Sequence, residues 1–232
     1  GVFYFGRKIN RQRRRLRLRT GGAVSLLSDG SLDPRGGLRL SETLRLTDNT
    51  QGFAWWPERG HYLNLGATLD QIVPLQPEDG DFRLHMQVTA SWAQLWRLAH
   101  DHVIATELEF DFLIPFIGRP QFRTLQRGGG ITGLSAYAAD EIFGLAVATA
   151  QAEYRHVYVN NLPINAFNLG WLRSLGGAAF AGVATASPCE SVNGWFGSNS
   201  WYAQVGYGIM AYVQYLGVTP QLFRVDVAVP LV

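Results

Sequence analysis

The sequence predicts an all-β fold, in which residues 1–232 form a single antiparallel β-barrel domain that crosses a membrane. Apolar and polar residues alternate with a period of two through most of the chain, and a helical period is hard to find. No apolar run reaches the roughly 18 residues of a transmembrane helix. The mean hydropathy of −0.00 is what an apolar exterior and a wet interior give on average.

The alternation predicts nine strands and a candidate tenth at the start of the chain. In order, they cover residues 14–27, 36–47, 61–74, 82–93, 102–114, 143–158, 168–186, 200–215 and 221–232, with residues 2–9 as the tenth. Several exceed the ~5–6 residues of a typical strand and reach the ~9–11 that a tilted membrane strand needs. An odd number of strands would leave an open edge, which lipid does not tolerate.

The alternation is clearest in the last two strands. The odd positions of residues 223–231 are apolar, and Arg224 and Asp226 lie between them. Residues 205–215 alternate in the same way, and Gly217–Pro220 supplies a short turn between the two segments. The sequence therefore predicts that the chain ends in a β-hairpin.

The two ends of the barrel are predicted to differ. Residues 116–142 and 187–199 form long connections, whereas Gly217–Pro220 is short, as expected when one end carries turns and the other carries extended loops. Aromatic side chains near strand ends are typical of the girdles that lie at membrane interfaces. They are Trp55, Trp56, Trp92, Trp96, Tyr154, Tyr158, Trp171, Trp201, Tyr202 and Tyr215.

Residues 1–19 form a strongly basic segment. They hold eight cations and no acid, which leaves a net charge of 12 − 18 = −6 for the rest of the chain. The cations are Arg7, Lys8, Arg11, Arg13, Arg14, Arg15, Arg17 and Arg19. Such a segment requires an anionic partner or abundant water. Its basic strand face could line the lumen, contact lipopolysaccharide phosphates or be the stub of a missing domain. Nucleic acid is not the predicted partner, because no interleaved aromatic platform follows.

A second group of charged residues is predicted to face the lumen. It consists of Glu107, Glu109, Asp111, Glu153, Arg155, Arg224 and Asp226. The three acids of residues 107–111 share one strand face, and like charges cannot lie unpaired in a dry core. We expect the group to pair across neighbouring strands and to hold water or a plug loop. A selective channel is the alternative.

Candidate catalytic and metal-binding residues are few. His100 and His102, with Asp101 between them, could offer two imidazoles to a metal, but a zinc site needs three or four ligands, so a solvated turn is favoured. The sequence has no nucleophile elbow and no Gly-rich phosphate loop before a helix. Its single cysteine, Cys189, excludes a disulfide framework. We therefore predict that the protein is not an enzyme and holds no metal or cofactor.

Short motifs follow one another in order through residues 105–232. They are Ile114-Pro115, Gly128-Gly129-Gly130, Ala152–Arg155, Val205–Ile209, Gly217–Pro220 and Arg224–Pro230. Together they resemble the Omp85 superfamily, the outer-membrane barrels that include BamA, TamA and bacterial surface antigens. The resemblance implies that residues 116–142 correspond to the family's glycine-led sixth extracellular loop. The residues that carry this loop motif are Gly128, Gly129, Gly130, Thr132 and Gly133.

Two positions depart from the pattern of the family. The resemblance implies a loop arginine that enters the lumen and pairs with an acid on a later strand. Thr132 stands where the arginine is expected, and Gly182 stands where the acid is expected. Losing one partner of a buried ion pair costs about 3–5 kcal/mol, whereas losing both can be nearly neutral. We therefore interpret the chain as a repurposed relative of this family.

The resemblance implies a protein of the bacterial outer membrane, with a structural or translocation-associated role in protein insertion, export or an envelope complex. Its partners would be outer-membrane lipid and lipopolysaccharide, with other envelope proteins or a missing N-terminal periplasmic region. The family's barrel has sixteen strands, so this chain would be part of a larger barrel, close a smaller one or be completed by another chain. The chain lacks an initiator Met, and we expect it to be processed or truncated. The alternatives from other classes are a charged-lumen pore and a soluble β-barrel that binds an apolar ligand.

Overall fold

The computed structural model describes residues 2–10, 16–27, 37–51, 59–74, 81–120, 125–130, 133–138, 141–166, 170–189, 200–215 and 221–231. In these ranges the chain forms β-strands and no α-helix. The strands are β1 (Val2–Asn10), β2 (Leu16–Leu27), β3 (Gly37–Asn49), β4 (Gly60–Pro74), β5 (Arg83–Ala99), β6 (His102–Ile117), β7 (Gln126–Arg127), β8 (Phe143–Gly144), β9 (Ala146–Ala166), β10 (Gly170–Ala186), β11 (Trp201–Tyr215) and β12 (Gln221–Leu231). Within the same ranges no helix has the length and hydropathy to span a bilayer.

Ten of these strands form one antiparallel sheet. Its order is β1-β2-β3-β4-β5-β6-β9-β10-β11-β12, so neighbours in the sheet follow one another along the chain. β7 and β8 form a separate two-stranded ladder within the connection from β6 to β9. The predicted all-β antiparallel fold is confirmed, and the candidate tenth strand is β1. The pattern did not predict β7 and β8, because two residues are too few to show an alternation.

Two strands extend well beyond their predicted ends, β5 from residue 93 to Ala99 and β9 from residue 158 to Ala166, and β3 and β6 extend by two and three residues. β5 continues because only His100 and Asp101 separate it from β6, and Ala99 pairs with His102. Asp101 has a φ of 66°, a left-handed conformation that Asp tolerates in a tight turn. The pairing between β5 and β6 therefore continues up to the two residues of the turn.

The pairing register divides the side chains of the sheet into two faces. Residues paired directly across antiparallel strands point to the same side, and the side alternates along each strand. One face, which we call the apolar face, carries mostly Leu, Val, Ala and aromatic side chains. Its exposed members include Leu44, Leu65, Leu108, Phe110, Val183, Val205, Ile209, Phe223, Val225 and Val227. Val225 and Val227 are 74% and 70% exposed. Glu42 is an exposed acid on this face.

The opposite side, which we call the polar face, carries nearly all the charges of the described strands. Its members include Arg39, Ser41, Arg45, Asp70, Glu107, Glu109, Asp111, Gln151, Glu153, Arg155, Gln204, Arg224 and Asp226. Asp70 is 0% exposed and Gln204 is 1% exposed. A water-soluble domain has the opposite arrangement, with large apolar side chains inside and charges outside.

The connections are long at one end of the sheet and mostly short at the other. Residues 28–36, 75–82, 118–145 and 187–200 connect strands at the end that we call the long-loop end. Residues 11–15, 50–59, 100–101, 167–169 and 216–220 connect them at the short-turn end. This alternation agrees with the predicted difference between the two ends.

The buried apolar side chains that the structure describes form three small clusters. The first fills the polar face toward the short-turn end and consists of Leu95, Val103, Ala105, Ala178, Met210 and Tyr212. The second joins the 118–145 loop to β9 and β10, and consists of Leu134, Ile142, Val147, Ala184 and Ala186. The third, at the base of the loop, consists of Leu113, Leu125 and Leu145. Apolar packing thus occupies both ends of the polar face.

Candidate functional site: a loop docked on the polar face

The connection from β6 to β9, which contains the predicted loop of residues 116–142, folds back on itself at a glycine cluster. The N–H of Gly130 donates to the carbonyls of Leu134 and Tyr137, at 3.2 and 2.9 Å. The N–H of Leu134 donates to the carbonyl of Gly128 at 2.8 Å. Gly130 has a φ of 80°, a conformation that glycine adopts without a steric penalty. The turn therefore requires glycine at this position.

Close packing explains the other glycines of the predicted loop motif. A Cβ on Gly129 would overlap the carbonyl of Ala138, and a Cβ on Gly133 would overlap the carbonyl of Gly128. Both neighbours are backbone atoms, which cannot rotate away. Thr132, the remaining member of the motif, lies outside the described residues. The four described members of the motif form one compact unit.

Three residues in one cross-strand row receive this loop on the polar face. Gln151 of β9 pairs with Gly182 of β10, and Gly182 pairs with Gln204 of β11. Nε2 of Gln151 donates to the carbonyl of Gly133 at 2.9 Å. The N–H of Ala136 donates to Oε1 of Gln204 at 2.8 Å. Two amide side chains thus hold the loop backbone from either side of a glycine.

The side chain of Leu134 occupies the space between the two glutamines. It is 0% exposed. A Cβ on Gly182 would lie 2.7 Å from Cδ2 of Leu134, so the missing side chain at Gly182 creates the notch that the leucine fills. Ile142, Val147 and Ala184 belong to the same buried cluster. The loop is therefore docked by an apolar contact as well as by hydrogen bonds.

Tyr137 anchors the end of the docked segment. Its hydroxyl donates to the carbonyl of Ala203 at 2.9 Å and accepts from the N–H of Ala203 at 3.3 Å. Its ring packs edge-to-face on Tyr202, with the ring centroids 5.4 Å apart. The prediction that Tyr202 belongs to an interfacial girdle is wrong, because the register with Ala184 places it on the polar face.

This docking differs from the ion pair that the family resemblance implies. The resemblance places an acid at Gly182, facing an arginine of the loop. The structure instead brings Leu134 of the loop over Gly182. A carboxylate at this position would lie against an apolar side chain, where an unpaired charge is unfavourable. The glycine and the leucine thus form a matched, uncharged pair.

An ion network connects β9 and β12 on the polar face. Glu153 accepts hydrogen bonds from Nε of Arg155 at 2.6 Å and from Nη1 of Arg224 at 2.9 and 2.8 Å. Nε of Arg224 also donates to both carboxylate oxygens of Asp226, at 2.7 and 2.8 Å. The side chain of Glu153 is only 14% exposed. Four of the predicted lumen charges therefore form one partly shielded network.

Glycines on β11 make room for this network to cross the sheet. β9 and β12 are separated by three strand spacings, or about 14 Å. A Cβ on Gly206 would overlap the ring of Phe180, and a Cβ on Gly208 would overlap the carboxylate of Asp226. The guanidinium of Arg224 lies 5.4 Å from the ring centroid of Phe180, within cation–π range. Small residues on β11 thus let long side chains lie flat across the face.

The remaining predicted lumen charges, Glu107, Glu109 and Asp111, form a column along β6 on the polar face. Their directly paired neighbours are uncharged. These neighbours are Ala93, Ser91 and Thr89 on β5, and Gln151, Thr149 and Val147 on β9. Within the described ranges none of the three acids forms an ion pair. The expected pairing across neighbouring strands is therefore not found for this column. Glu107 lines a polar cavity of about 280 Å³ together with Arg155.

The sequence did not single out Asp70, the most deeply buried acid on the polar face. Arg39 donates to both of its carboxylate oxygens, from Nε at 2.9 Å and from Nη2 at 2.7 Å, and the hydroxyl of Ser41 donates to it as well. Nε2 of His85 lies 3.4 Å from Oδ2 of Asp70. Asp70 is therefore fully partnered. The carboxylate lies between the serine and the histidine, so the hydroxyl does not face the imidazole as a hydrolase nucleophile would.

The sequence His100-Asp101-His102 forms the turn between β5 and β6, as the solvated-turn interpretation predicts. The side chain of His100 is 76% exposed, and Asp101 accepts a hydrogen bond from Nδ2 of Asn160 at 2.7 Å. His102 lies on the apolar face, where its Nδ1 is 2.6 Å from the hydroxyl of Tyr154. Among the described residues no group of three or more potential metal ligands gathers at any point.

Other aromatic residues of the apolar face lie toward the strand ends. The rings of Trp92 and Trp96 pack edge-to-face with their centroids 6.3 Å apart, near the short-turn end. Further exposed members are Tyr154 and Tyr158 toward the same end, and Trp201 at the long-loop end, whereas Trp171 pairs with Gln214 of the polar face. Trp55, Trp56 and the side chain of Tyr215 lie outside what the structure describes.

Of the comparisons with known proteins, the one with solved structures gives a match. No protein-family model matches the chain, and no curated protein matches it either. Among solved structures, the chain is similar to a crystal structure of BamA from Haemophilus ducreyi lacking POTRA domains 1–3. The sequence identity is 15%, and the TM-score is 0.43. The match covers 93% of this chain and 59% of that BamA chain, so this chain spans less than two thirds of its length.

Proposed function

We propose that the protein is a β-barrel of the bacterial outer membrane, with an Omp85-like, structural or translocation-associated role in protein insertion, export or an envelope complex. The observation that carries the proposal is the reversal of the two faces. One face of the sheet exposes large apolar side chains, and the opposite face holds a partly shielded ion network and a docked loop. In a bilayer the apolar face contacts lipid and the polar face lines the lumen.

The exposed apolar side chains favour lipid as the surrounding medium. Ile209, Val225 and Val227 are 59%, 74% and 70% exposed. Transfer of such a side chain from water to an apolar medium is favourable by about 1.5–3 kcal/mol. Because many such residues lie side by side on this face, water would be an unfavourable solvent for it. A soluble barrel that binds an apolar ligand would instead place these residues inside.

The docked loop supports a structural or translocation-associated role. It lies on the polar face of β9, β10 and β11, held at Gln151, Gly182 and Gln204. Toward the short-turn end, the cluster that contains Leu95 and Tyr212 fills the same face. The docked loop and the apolar cluster would thus fill the lumen at two heights. This favours a barrel whose loop regulates access over a wide, permanently open channel.

A charged-lumen pore is the second candidate, and the acidic column of β6 favours it. Glu107, Glu109 and Asp111 form no ion pair within the described ranges, although they lie on the polar face. Unpaired carboxylates along one wall of a lumen attract cations and repel anions. This candidate therefore predicts a cation-selective conductance.

The proposed partners follow from the same arrangement. Outer-membrane lipid and lipopolysaccharide would contact the apolar face. Other envelope proteins or a periplasmic region of the protein would link the barrel to protein insertion or export. Nucleic acid is not a proposed partner, and no catalytic residue, metal or cofactor is part of the proposal.

The dependence of the purified protein on detergent tests the membrane assignment. We expect the protein to require detergent for solubility, and to migrate faster on a gel when it is unheated than when it is boiled, as folded barrels do. Recovery as a water-soluble monomer without detergent would contradict the proposal.

Planar bilayer recordings distinguish the two candidate functions. A docked loop predicts small or rare openings, which become larger and more frequent when Leu134→Ala loosens the loop. A stable, large conductance whose cation selectivity falls in Glu107→Gln and Glu109→Gln would instead support the pore. Leu108→Gln, between the two glutamates in the chain but on the apolar face, serves as the matched control and should leave selectivity unchanged.

A further inference from the structure

Strands β2 and β3 bring two arginines into one cross-strand row on the polar face. Arg19 of β2 pairs directly with Arg45 of β3. Directly paired residues have Cβ atoms about 4.5–5.5 Å apart, and like charges in such pairs destabilise a sheet. The proposed barrel function does not account for this unfavourable arrangement.

No acid lies next to the two arginines on the polar face. The row continues through Gly66 of β4 and Thr89 of β5, both uncharged. The acids of β3, Glu42 and Asp48, occupy even positions and therefore lie on the apolar face. Arg19 and Arg45 are both exposed, and in the part of the chain that the structure describes neither forms an ion pair.

The next residue of the row after Arg45 is Gly66, which has no side chain. A Cβ on Gly66 would lie 3.9 Å from Nε of Arg45 and 2.6 Å from Oγ1 of Thr89. The guanidinium stem therefore passes over a glycine, with a hydroxyl donor on the far side. Arg45 and the hydroxyl of Thr89 therefore lie on either side of Gly66 on the polar face.

We propose that this pair, Arg19 and Arg45, is a binding site for a water-soluble phosphomonoester. Guanidinium groups match phosphate oxygens in bidentate pairs. A terminal phosphate carries about −1.5 to −2 charges and three acceptor oxygens, so one group can bridge two guanidiniums on adjacent strands. A carboxylate has one charge and two oxygens, and it neutralises the row less completely. The choice of a soluble compound over a lipid rests on the proposed function, in which this face does not contact lipid.

The acidic column limits where such a ligand can lie. The same row reaches Asp111 on β6, beyond Thr89, and Glu109 follows in the next row. β3 and β6 are three strand spacings apart, or about 14 Å. Carboxylates at this distance repel a phosphate and confine it to the cationic side. The site therefore covers β2 to β4.

Isothermal titration calorimetry with glycerol 3-phosphate tests the site, in octyl glucoside because that detergent has no phosphate. We expect wild-type protein to bind the probe, and Arg45→Gln and Arg19→Gln to weaken binding about 10-fold or more, since each removes a charge-assisted pair. Arg173→Gln is the matched control and should bind like wild type, because Arg173 is an exposed arginine of β10 that bonds to Gln214.

Thermal unfolding of the same variants separates binding from damage to the fold. Without ligand, Arg45→Gln should unfold at a higher temperature than wild type, because the substitution removes repulsion within the row. Glycerol 3-phosphate should raise the unfolding temperature of wild type and leave that of Arg45→Gln unchanged.

Three results would overturn the proposal. They are equal affinity in wild type and Arg45→Gln, equal binding of acetate and glycerol 3-phosphate, and binding only to vesicles that contain phosphatidic acid. The last would show a lipid phosphate as the ligand. Binding of the soluble probe in detergent does not require the barrel to transport anything. The phosphate site can therefore be disproved while the proposed barrel function stands, and the barrel function can be disproved while the site stands.

Discussion

The polar face differs strongly between its two halves. Toward the long-loop end of β9, β10 and β11 it is built from small or uncharged residues such as Gly182, Ala184 and Gln204, and the loop covers it. On β2 to β6 it carries most of its charges, among them the row at Arg45 and the column at Glu109. Among the described residues of this connection, Leu134 docks on β9 to β11, and Leu125 and Leu145 at its base pack against Leu113 of β6.

The comparison shows what a strand face needs in order to receive a loop. Leu134 can lie flat on β10 only because Gly182 has no side chain. The two flanking amides then satisfy loop backbone groups, which would otherwise be buried without partners. A charged face cannot receive a loop in this way without burying a charge that has no partner. The covered half is therefore specialised for docking, and the charged half remains open to water and solutes.

Leu134→Ala should have the largest effect, because it removes the side chain that fills the notch. A fully buried Leu→Ala substitution costs about 2–5 kcal/mol. We expect a loss of this size in the free energy of unfolding, measured by urea titration in detergent micelles, together with faster cleavage of the loop by protease. Leu108→Ala, on the exposed apolar face, should leave cleavage of the loop unchanged. An unaffected loop in Leu134→Ala would mean that the leucine does not hold it.

Gly182→Val tests the same contact from the opposite side. The added side chain would overlap Leu134, and overpacking of this kind costs about 1–3 kcal/mol. We expect the loop to become sensitive to protease. Ala181→Val, the neighbouring residue on the apolar face, is the matched control and should not change protection of the loop. Equal protection in both variants would contradict the docking geometry.

The ion network should show a smaller, coupled effect. Removing Arg224 leaves Glu153 with Arg155 alone, and because the partners are partly exposed we expect Arg224→Gln to cost about 1–2 kcal/mol. A double-mutant cycle with Glu153→Gln, followed by urea unfolding, should give a coupling energy of about 1 kcal/mol. Strict additivity would mean that the two side chains do not interact across β10 and β11.

Glu109→Gln should have the smallest effect, and of the opposite sign. Glu109 lies between two acids on the same strand face, about 7 Å from each, so its removal relieves repulsion of roughly 0.5 kcal/mol. We expect a slightly higher urea midpoint at low salt and no difference at 1 M salt, where surface charges are screened. A destabilised Glu109→Gln would indicate that the column is paired.

The strands and their faces could be predicted from the sequence because the alternation is a local property. Val225 and Val227 on one side and Arg224 and Asp226 on the other identify the two faces of β12 without any knowledge of its partners. The glycine cluster at residues 128–133 was also visible, since a turn that requires positive φ selects glycine locally.

The docking row could not be predicted, because it depends on the register between three strands. Gln151, Gly182 and Gln204 form a row only when β9, β10 and β11 are aligned, and a shift of one residue would move each to the other face. Each is unremarkable alone. Asp70 was missed for the same reason, since its partners Arg39 and His85 come from the two flanking strands.

Spin labels on the two faces test the central claim most directly, in protein reconstituted into lipid bilayers. Ile209→Cys and Val225→Cys report on the apolar face, and Glu107→Cys reports on the polar face, in a background where Cys189 is replaced by serine. We predict that the first two labels are relaxed by oxygen, which concentrates in lipid, and that the third is relaxed by a water-soluble nickel chelate. The reverse pattern, or relaxation of all three by the nickel chelate, would contradict a barrel whose apolar face contacts the membrane.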